Sequence, residues 1–570
     1  MPERLNISLL PRSRARHIAR SISHLAIQLT PILTAAPVPD GRARRSCAWP
    51  GATAFLAGWL LSLAGCAAIP TGGLPASHAL EHPQATTLGR ALSGLALGHP
   101  GESGFHLLEF GPEALAARLA LVDAAERTID IQYYIFDDDQ TGDLLTLHLL
   151  QAADRGVRVR LLLDDFNLRH AAKLSTLSSV PNFSVRVYNP VHYHPRWALW
   201  LEYAFDFKRL NRRMHVKQLT VDNTAVILGG RNIGDEYFDL ENKHGFRDFD
   251  LLAAGDVTRQ ASAIFDEYWN STWAVPVAKL ANPLKDPNAL AIARAQIEQR
   301  SLGVESFARQ YEATRDGYLA DLERGDALIW APGEIRADPA AQVAAPLGEI
   351  SPLTHVLESE WRNTRQEALM EAAYFVPGRD GMDWYRAMRA RGVTVTVLTN
   401  TAATTDVPVV YDAYERYRRR LLGLGVELYE YKRDGAGLPA EASWFRPQQS
   451  YAILHSKVMV FDRQRVWVGS YNLDPRSAFL NLEVAAIIDS KRLAEQAARD
   501  IRRDCAPNQS WRVRLEPSPS GPATSFLGTR LVWTGEARGK AAVRHHEPVN
   551  LFQHLRSFFL FLIPGIEKQL

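Results

Sequence analysis

Apolar and polar positions follow two different periods along the central part of the chain. Residues 114–125 and 143–153 place apolar side chains at helical spacing, whereas residues 128–136 and 157–163 are short apolar runs typical of buried strands. Helices that alternate with buried strands predict an α/β fold whose strands are covered by helices. We expect the folded body to begin near Phe105.

The same order of elements returns about 240 residues later in the chain. The repeated markers are Arg155-Gly156-Val157 and Arg391-Gly392-Val393, Tyr134 and Tyr374, and His215 and His455. Markers that share one offset indicate an internal duplication. We therefore predict two pseudo-symmetric halves, each a mixed, mostly parallel sheet flanked by helices, with an active site between them. The predicted boundaries are 105–275 and 345–510 for the halves, 276–344 for an ordered connection and 511–570 for a C-terminal extension.

The first 65 residues have the pattern of a secretory leader. Three arginines, at positions 42, 44 and 45, precede an apolar stretch at 52–63, which is too short to span a bilayer, and Leu63-Ala64-Gly65-Cys66 follows. This arrangement resembles a bacterial lipoprotein signal, which predicts lipidation of Cys66 and anchoring at a membrane surface. The alternative is an uncleaved apolar segment with a chance cysteine. Residues 66–104, rich in Gly, Pro, Ala and Ser, predict a flexible tether.

Localisation and partners follow from this leader. We expect the protein in the bacterial cell envelope, on the periplasmic face. Ala67 favours the outer membrane, because an aspartate at that position resembles an inner-membrane retention signal in enteric bacteria. No obligate protein partner is predicted.

Composition and charge exclude several classes of protein. A hydrophobic content of 46% with 22% charged residues is that of an ordinary folded protein, not of a multi-span membrane protein or a disordered chain. Without the leader, 57 Lys and Arg face 61 Asp and Glu, which argues against a nucleic-acid-binding body. The three cysteines suggest no disulfide framework or zinc site, and Asp137-Asp138-Asp139 lacks the spacing of a calcium loop. We predict no metal and no cofactor.

Two copies of one motif carry the candidate chemistry. Each copy has His, then Lys at +2, Asp at +7, Gly at +14, a small residue at +15 and Asn at +17. The copies are His215, Lys217, Asp222, Gly229, Gly230 and Asn232, and His455, Lys457, Asp462, Gly469, Ser470 and Asn472. Because the two copies are related by the repeat offset, they predict one bipartite site.

The residue types suit a phosphodiester. On a strand, residues i and i+2 project from the same face, so His and Lys would enter one cleft. Lys supplies a cation for the phosphate oxygens, Asn and Ser470 supply neutral donors, and His can attack phosphorus or protonate a leaving oxygen near neutral pH. Asp222 and Asp462 are either part of this catalytic set or turn formers, and both interpretations stay open.

Further residues around the motifs resemble the phospholipase D superfamily, and within it the cardiolipin synthase C-type branch of bacterial enzymes. The likeness runs from about Leu108 to Arg512. It is carried by the segments Ile131-Gln132-Tyr133-Tyr134, Leu161-Leu162-Leu163-Asp164-Asp165, Asn211-Arg212-Arg213-Met214-His215, Gly229-Gly230-Arg231-Asn232-Ile233-Gly234-Asp235, Tyr374-Phe375-Val376-Pro377, Gly425-Val426-Glu427-Leu428-Tyr429-Glu430 and Asn472-Leu473-Asp474-Pro475-Arg476-Ser477.

The resemblance implies a mechanism. Both histidines would share one site at the interface of the halves and react through a phosphohistidine, with His215 as nucleophile and His455 as acid and base; the opposite assignment stays open. The two lysines and two asparagines of the motifs would bind the phosphoryl oxygens. A carboxylate would orient each imidazole, and matching the segments downstream of the motifs nominates Asp248 and Glu483.

The substrate prediction is a membrane phospholipid. Residues 195–209 concentrate aromatic and basic side chains, which suits either a membrane interface or a buried amphipathic helix, and the apolar run at 558–563 is too short to span a bilayer. The predicted reaction is phosphatidyl transfer, making cardiolipin from phosphatidylglycerol and a second phospholipid. Hydrolysis to phosphatidic acid, a metal-independent nuclease and a catalytically idle membrane scaffold are the alternatives, and the acceptor stays open.

Overall fold

The structure, a computed structural model, describes residues 74–168, 170–191, 206–240, 245–432, 453–518 and 528–545. The chain divides into two units by its internal contacts, and residues 71–190, 208–568 and 570 form the larger one. The other unit comprises residues 1–70, 191–207 and 569, of which three are described. The predicted leader, Cys66, residues 195–205 of the aromatic segment and residues 558–563 all lie outside the described residues.

Twenty-one strands are described. In chain order they are β1 (Ser103–Leu108), β2 (Thr128–Tyr133), β3 (Arg158–Asp164), β4 (Phe183–Tyr188), β5 (Lys217–Val221), β6 (Ala225–Gly229), β7 (Phe246–Arg247), β8 (Asp250–Ala254), β9 (Ala274–Pro276), β10 (Ile329–Ala331), β11 (Gly333–Ala337), β12 (Glu367–Ala372), β13 (Thr394–Asn400), β14 (Glu427–Tyr431), β15 (Ile453–Leu454), β16 (Lys457–Phe461), β17 (Arg465–Gly469), β18 (Val484–Asp489), β19 (Ser510–Pro517), β20 (Thr529–Ala537) and β21 (Lys540–Arg544).

Thirteen α-helices with defined bounds accompany them. They are α1 (Thr87–Ala96), α2 (Gly111–Ala124), α3 (Gln140–Asp154), α4 (Ala171–Leu177), α5 (Asp256–Asn270), α6 (Val277–Leu280), α7 (Ala289–Ser301), α8 (Glu305–Arg324), α9 (Pro352–Asn363), α10 (Gly378–Ala390), α11 (Pro408–Gly423), α12 (Pro475–Phe479) and α13 (Lys491–Asp504). None of the helices in the described ranges is long and apolar enough to cross a bilayer.

The strand order confirms the internal duplication. The first large sheet has the order β10-β1-β8-β6-β5-β2-β3-β4-β9, and the second has β11-β18-β17-β16-β12-β13-β14-β19-β20-β21. Eight neighbouring strands of the first sheet, β1-β8-β6-β5-β2-β3-β4-β9, therefore correspond one by one to β11-β18-β17-β16-β12-β13-β14-β19 of the second. The predicted α/β fold with two pseudo-symmetric halves, each a mixed sheet flanked by helices, is confirmed.

The expectation that the sheets are mostly parallel is wrong. Parallel pairing within the large sheets is confined to β2-β3-β4 and β12-β13-β14, where a helix crosses over between successive strands. The motif strands β5 and β6, and their counterparts β16 and β17, are antiparallel hairpins. In each hairpin a three-residue connection, which begins with the motif aspartate, joins the two strands. Such a short connection cannot join parallel strands, so these pairs are antiparallel.

Three large apolar cores hold the body together. One packs helices of the first half against its sheet, and another does the same in the second half. The third contains side chains from both halves, including Leu228 and Phe265 from the first and Val460 and Leu482 from the second. The two halves therefore share a core, and the motif strands lie along it.

Two predicted segments differ from expectation. Residues 87–96, expected within the flexible tether, form α1, whose Leu88 and Leu92 are buried against the first-half core because they lie on one helical face. The predicted end of the second half at residue 510 falls at the start of β19, and β20 and β21 extend the same sheet. The connection at 276–344 contributes β10 to the first sheet and β11 to the second.

Candidate active site

The backbone before each motif histidine is tied to the opposite half. The His215 amide donates to the Leu482 carbonyl at 2.8 Å, and the His455 amide donates to the Arg247 carbonyl at 2.7 Å. Around the second contact, β15 and β7 form a small parallel sheet. Glu483 follows Leu482 in the chain, and Asp248 follows Arg247. These backbone contacts therefore bring His215 next to Glu483 and His455 next to Asp248.

Those two carboxylates contact the imidazoles directly. His215 Nδ1 lies 2.8 Å from Glu483 Oε2, and His455 Nδ1 lies 2.6 Å from Asp248 Oδ2. The pairing is crossed, since each histidine uses a carboxylate from the other half. His215 Nδ1 also lies 3.1 Å from the Ser470 carbonyl oxygen. Among the described residues only acceptors lie around His215 Nδ1, so its proton resides there and the Nε2 lone pair is available. His455 Nδ1 also lies 3.2 Å from the Lys457 ammonium, and the shorter contact to the Asp248 carboxylate places the His455 proton on Nδ1 as well.

Burial decides the charge state of both imidazoles. Burial lowers the pKa of His215 to about 4, although Glu483 acts in the opposite direction, and Lys217 and Lys457 lower it further. Burial, together with Lys457, also lowers the pKa of His455, against the opposing effect of Asp248. Burial by itself would raise the pKa of Glu483 and of Asp248, but the neighbouring histidines and lysines outweigh it. Both carboxyl groups therefore have lowered pKa values. Near neutral pH the site therefore holds neutral imidazoles on ionised carboxylates.

The motif lysines are buried beside the histidines. Lys217 Nζ donates to the His215 carbonyl at 2.8 Å, and Lys457 Nζ donates to the His455 carbonyl. Burial lowers the pKa of both lysines, and in the case of Lys217 to well below its ordinary value. A phosphate anion between them would favour the protonated ammonium forms.

Aromatic rings cover the two histidines unequally. The Tyr134 ring lies edge-on to His215 at 4.9 Å, and Lys217 Nζ lies 5.2 Å from the same ring. The corresponding Tyr374 lies 6.3 Å from His455. His455 is contacted by two further rings, Tyr237 at 5.2 Å and Phe246 at 5.1 Å.

The motif asparagines and Ser470 differ from one another in the structure. The Asn232 amide donates to the Tyr237 hydroxyl at 2.8 Å, and its Oδ1 accepts from the Ile135 amide at 3.3 Å. Asn472 Oδ1 is buried and has no hydrogen-bond partner among the described residues, so it can accept or, after an amide flip, donate. The Ser470 hydroxyl donates to Glu483, which is a different use from the predicted phosphate contact.

Asp222 and Asp462 lie in turns, and their contacts support the interpretation as turn formers. Asp222 Oδ1 accepts from the amides of Arg127 and Thr128, and Oδ2 accepts from that of Glu126. Asp462 makes the same three contacts, to the amides of residues 365–367. Both have positive φ, near 50°, at the turn after the motif strand. Their carboxylates are committed to neighbouring strands, because a turn at this point leaves amides that need an acceptor.

Sequence reasoning missed five residues that support the site. Ser477 and Asn481 hydrogen-bond to Glu483, and Asp338, from the connection between the halves, accepts from the Glu483 amide at 3.0 Å. Tyr134 and Tyr374 served only as repeat markers, although their equal offset from the histidines was the available signal.

The acidic run at 137–139 is a hydrogen-bonded loop, in which Asp139 caps α3. No cluster of potential metal ligands occurs in the described ranges.

Fold and site together define a two-motif phosphodiester-processing protein, and comparison with known proteins identifies its family. Residues 119–269 and 357–505 each match the family described as cardiolipin synthase, PLD-like domain. The chain belongs to this family and is an enzyme of the phospholipase D superfamily.

Several individual proteins are similar to the chain. The chain is 36% identical to cardiolipin synthase C of Escherichia coli K12 over 82% of the chain and 96% of that protein. It is 31% identical to an uncharacterized protein of Helicobacter pylori J99 over 86% of the chain and 92% of that protein. Among solved structures, phosphatidylserine synthase of Haemophilus influenzae matches at 13% identity over 73% of the chain and 91% of that protein, with a TM-score of 0.49.

Proposed function

We propose that this enzyme transfers a phosphatidyl group between membrane phospholipids through a phosphohistidine on His215. The observation that carries the proposal is the crossed pair of imidazole–carboxylate contacts, at 2.8 and 2.6 Å. In both histidines Nδ1 faces a carboxylate, and Nε2 has no hydrogen-bond partner among the described residues. Two such imidazoles with two lysines beside them supply a nucleophile, a proton carrier and cations for one phosphodiester.

The first half-reaction forms the phosphoenzyme. The negative charge of a bound phosphodiester favours protonation of His455 on Nε2, so that His455 becomes an imidazolium when substrate enters. His215 Nε2 then attacks phosphorus, the bond from phosphorus to the leaving oxygen breaks, and His455 gives its Nε2 proton to that oxygen. In the second half-reaction an acceptor hydroxyl gives its proton to His455 and attacks phosphorus, and the bond to His215 Nε2 breaks. Lys217 and Lys457 neutralise the nonbridging oxygens, where negative charge is concentrated in the transition state.

The preferred substrate is phosphatidylglycerol, with a second phospholipid as acceptor and cardiolipin as product. This choice rests on the E. coli relative, which bears the name cardiolipin synthase C and matches over nearly its whole length. The acidic balance of the chain outside the leader supports a lipid over a nucleic acid.

Product analysis tests the proposal. Purified enzyme would be incubated with mixed micelles of phosphatidylglycerol and phosphatidylethanolamine, and lipids resolved by mass spectrometry. We expect cardiolipin to accumulate, and phosphatidic acid as the sole product would overturn the transferase assignment in favour of hydrolysis. Trapping a labelled phosphatidyl group on wild type and His455→Ala, but not on His215→Ala, would support the assigned nucleophile.

The membrane attachment is a separate proposal. The arginines, the apolar stretch and Cys66 support lipidation at the periplasmic face, with the outer membrane favoured by Ala67. Labelling cells with an alkyne palmitate analogue should mark the wild-type protein but not Cys66→Ser, and equal labelling of both would refute the anchor.

A further inference from the structure

The two active-site carboxylates have different surroundings. Glu483 Oε1 accepts from the Ser477 hydroxyl at 2.7 Å and from the Asn481 amide at 3.3 Å, and Oε2 accepts from the Ser470 hydroxyl in addition to His215. Asp248 accepts from His455 and from its neighbouring backbone amide, Phe249 N, at 2.8 Å. Glu483 thus receives three side-chain donors besides the imidazole.

Both hydroxyls are oriented so that they donate to Glu483. The Ser477 oxygen accepts from the Asn472 amide at 3.1 Å, and the Ser470 oxygen accepts from the Val484 amide at 3.0 Å. Each oxygen therefore has an incoming backbone proton, and its own proton points toward the carboxylate. All of these side chains are buried, so water does not replace the contacts.

The corresponding positions of the first half cannot form such a set. Gly230 stands where Ser470 stands in the second half, and a Cβ there would lie 2.2 Å from Asp248 Oδ1. Tyr237 and Phe246 stand where Ser477 and Asn481 stand, and their rings pack against His455. The two halves therefore differ at equivalent positions. In the second half these positions supply hydrogen-bond donors to Glu483, and in the first half they supply aromatic rings that pack against His455.

We propose that Ser470, Ser477 and Asn481 are positioning residues that keep Glu483 an anion, so that the Nδ1 proton stays on His215 while phosphorus is bound to Nε2. This inference rests on the proposed phosphohistidine chemistry. A carboxylate with several donors has little tendency to take a further proton. The phosphohistidine then remains a phosphorylated imidazolium, which departs as neutral imidazole when the acceptor attacks. If Glu483 took the proton, the departing group would be an imidazolate, a much poorer leaving group.

The electrostatics agree with this arrangement. Burial by itself would raise the pKa of Glu483, but His215, Lys217 and the Ser470 hydroxyl outweigh it. The charged groups with the largest effect on His215 are Glu483, Lys217 and Lys457, and the Tyr134 ring packs against it at 4.9 Å. Among the described residues His215 Nδ1 contacts the Ser470 carbonyl and the Glu483 carboxylate, and of these two acceptors the carboxylate is the one basic enough to take the proton.

The test separates formation of the phosphoenzyme from its breakdown. Full-length wild type, Ser477→Ala and Asn481→Ala would be mixed with labelled phosphatidylglycerol in a quench-flow apparatus, and breakdown followed after a chase with unlabelled acceptor lipid. Each variant should form the phosphoenzyme within about threefold of the wild-type rate but break it down about tenfold more slowly, because one hydrogen bond to a charged group is lost. The steady-state phosphoenzyme fraction should rise.

Ser175→Ala is the matched control. Ser175 is a buried serine in α4 whose hydroxyl has no partner among the described residues, and its removal should leave both rates unchanged. Equal slowing of both steps in the variants, slower formation alone, or no change would overturn the inference. Absence of any phosphoenzyme in the wild type would instead overturn the proposed function. Thermal melts would exclude unfolded variants from the comparison.

Discussion

The imidazole of His455 donates to Asp248, which lies 207 residues earlier in the chain and in the other half, at 2.6 Å. Residues so distant in sequence meet because β7 pairs with β15 beside the site. The contact links the two halves of the duplication at the reacting atoms. Neither half alone contains a histidine with its orienting carboxylate.

Asp248→Asn is expected to reduce both half-reactions, because His455 exchanges a proton in each. An amide can present its NH2 group to Nδ1, which favours the wrong tautomer, and we expect a loss of roughly 100-fold in each step. Quench-flow measurement of phosphoenzyme formation and breakdown checks this. A loss confined to one step would show that His455 serves only that step.

Asp222→Ala should destabilise the protein without removing the chemistry. The carboxylate accepts from three backbone amides, and leaving them without an acceptor should lower the free energy of unfolding by about 2 to 4 kcal/mol. The rate per folded molecule should stay within about threefold of wild type, since the carboxylate touches no reacting group. Chemical denaturation combined with phosphoenzyme titration measures both quantities. Normal stability with a collapsed rate would restore a catalytic role for Asp222.

Most of the candidate site could be predicted from the sequence because the duplication repeats its motif. The equal spacing of His215 and His455 within their motifs identified both histidines, both lysines and both asparagines, and matching the downstream segments nominated Asp248 and Glu483. Local spacing does not tell which carboxylate meets which histidine. The crossed pairing depends on how two sheets, far apart in sequence, pack on a shared core.

Other features were hidden for physical reasons. An aspartate after a strand has the same sequence pattern whether it is a catalytic acid or an acceptor for turn amides. The hydrogen bonds of Asp222 to three backbone amides favour the second role. The antiparallel motif strands were missed because fully buried strands have the same apolar runs in either direction. The sequence does not predict the role of Asp338, because its carboxylate accepts from the backbone amide of Glu483, 145 positions away.

Gly230→Ala should impair His455 through steric displacement. An added Cβ would meet Asp248 Oδ1 at 2.2 Å, so the carboxylate must shift away from the imidazole. We expect at least about a tenfold loss in phosphatidyl transfer, the size typical of a disturbed orienting partner. Gly94→Ala is the control, because a Cβ there meets nothing within 4 Å and a helical alanine is favoured over glycine. Full activity of Gly230→Ala would mean that the Asp248 contact is dispensable.

Asp474 should make the stability of the protein depend on pH. It is a buried N-cap whose carboxylate accepts from the Ser477 amide at 2.9 Å, and burial raises its pKa to about 7 from an ordinary value of 3.8, with Glu483 acting in the same direction and Arg476 and Lys457 against it. Below pH 4 the carboxyl is protonated in both the folded and the unfolded state, so its contribution is fully present. As pH rises from about 4 to 7, the unfolded state releases its proton while the folded state retains it, so stability falls progressively. Above pH 7 both states are ionised and the loss is complete.

Asp474→Asn removes this titration but keeps the cap, because asparagine is an equally good N-cap residue. Between pH 4 and 8 the variant should gain up to about 4 kcal/mol in unfolding free energy relative to wild type. Urea denaturation at a series of pH values measures the difference. Ser490→Asn, which alters a second buried N-cap that does not titrate, should shift stability by the same amount at every pH. Parallel pH curves for wild type and Asp474→Asn would show that Asp474 is already ionised in the folded protein at low pH, and that the Ser477 amide and the nearby cations outweigh its burial.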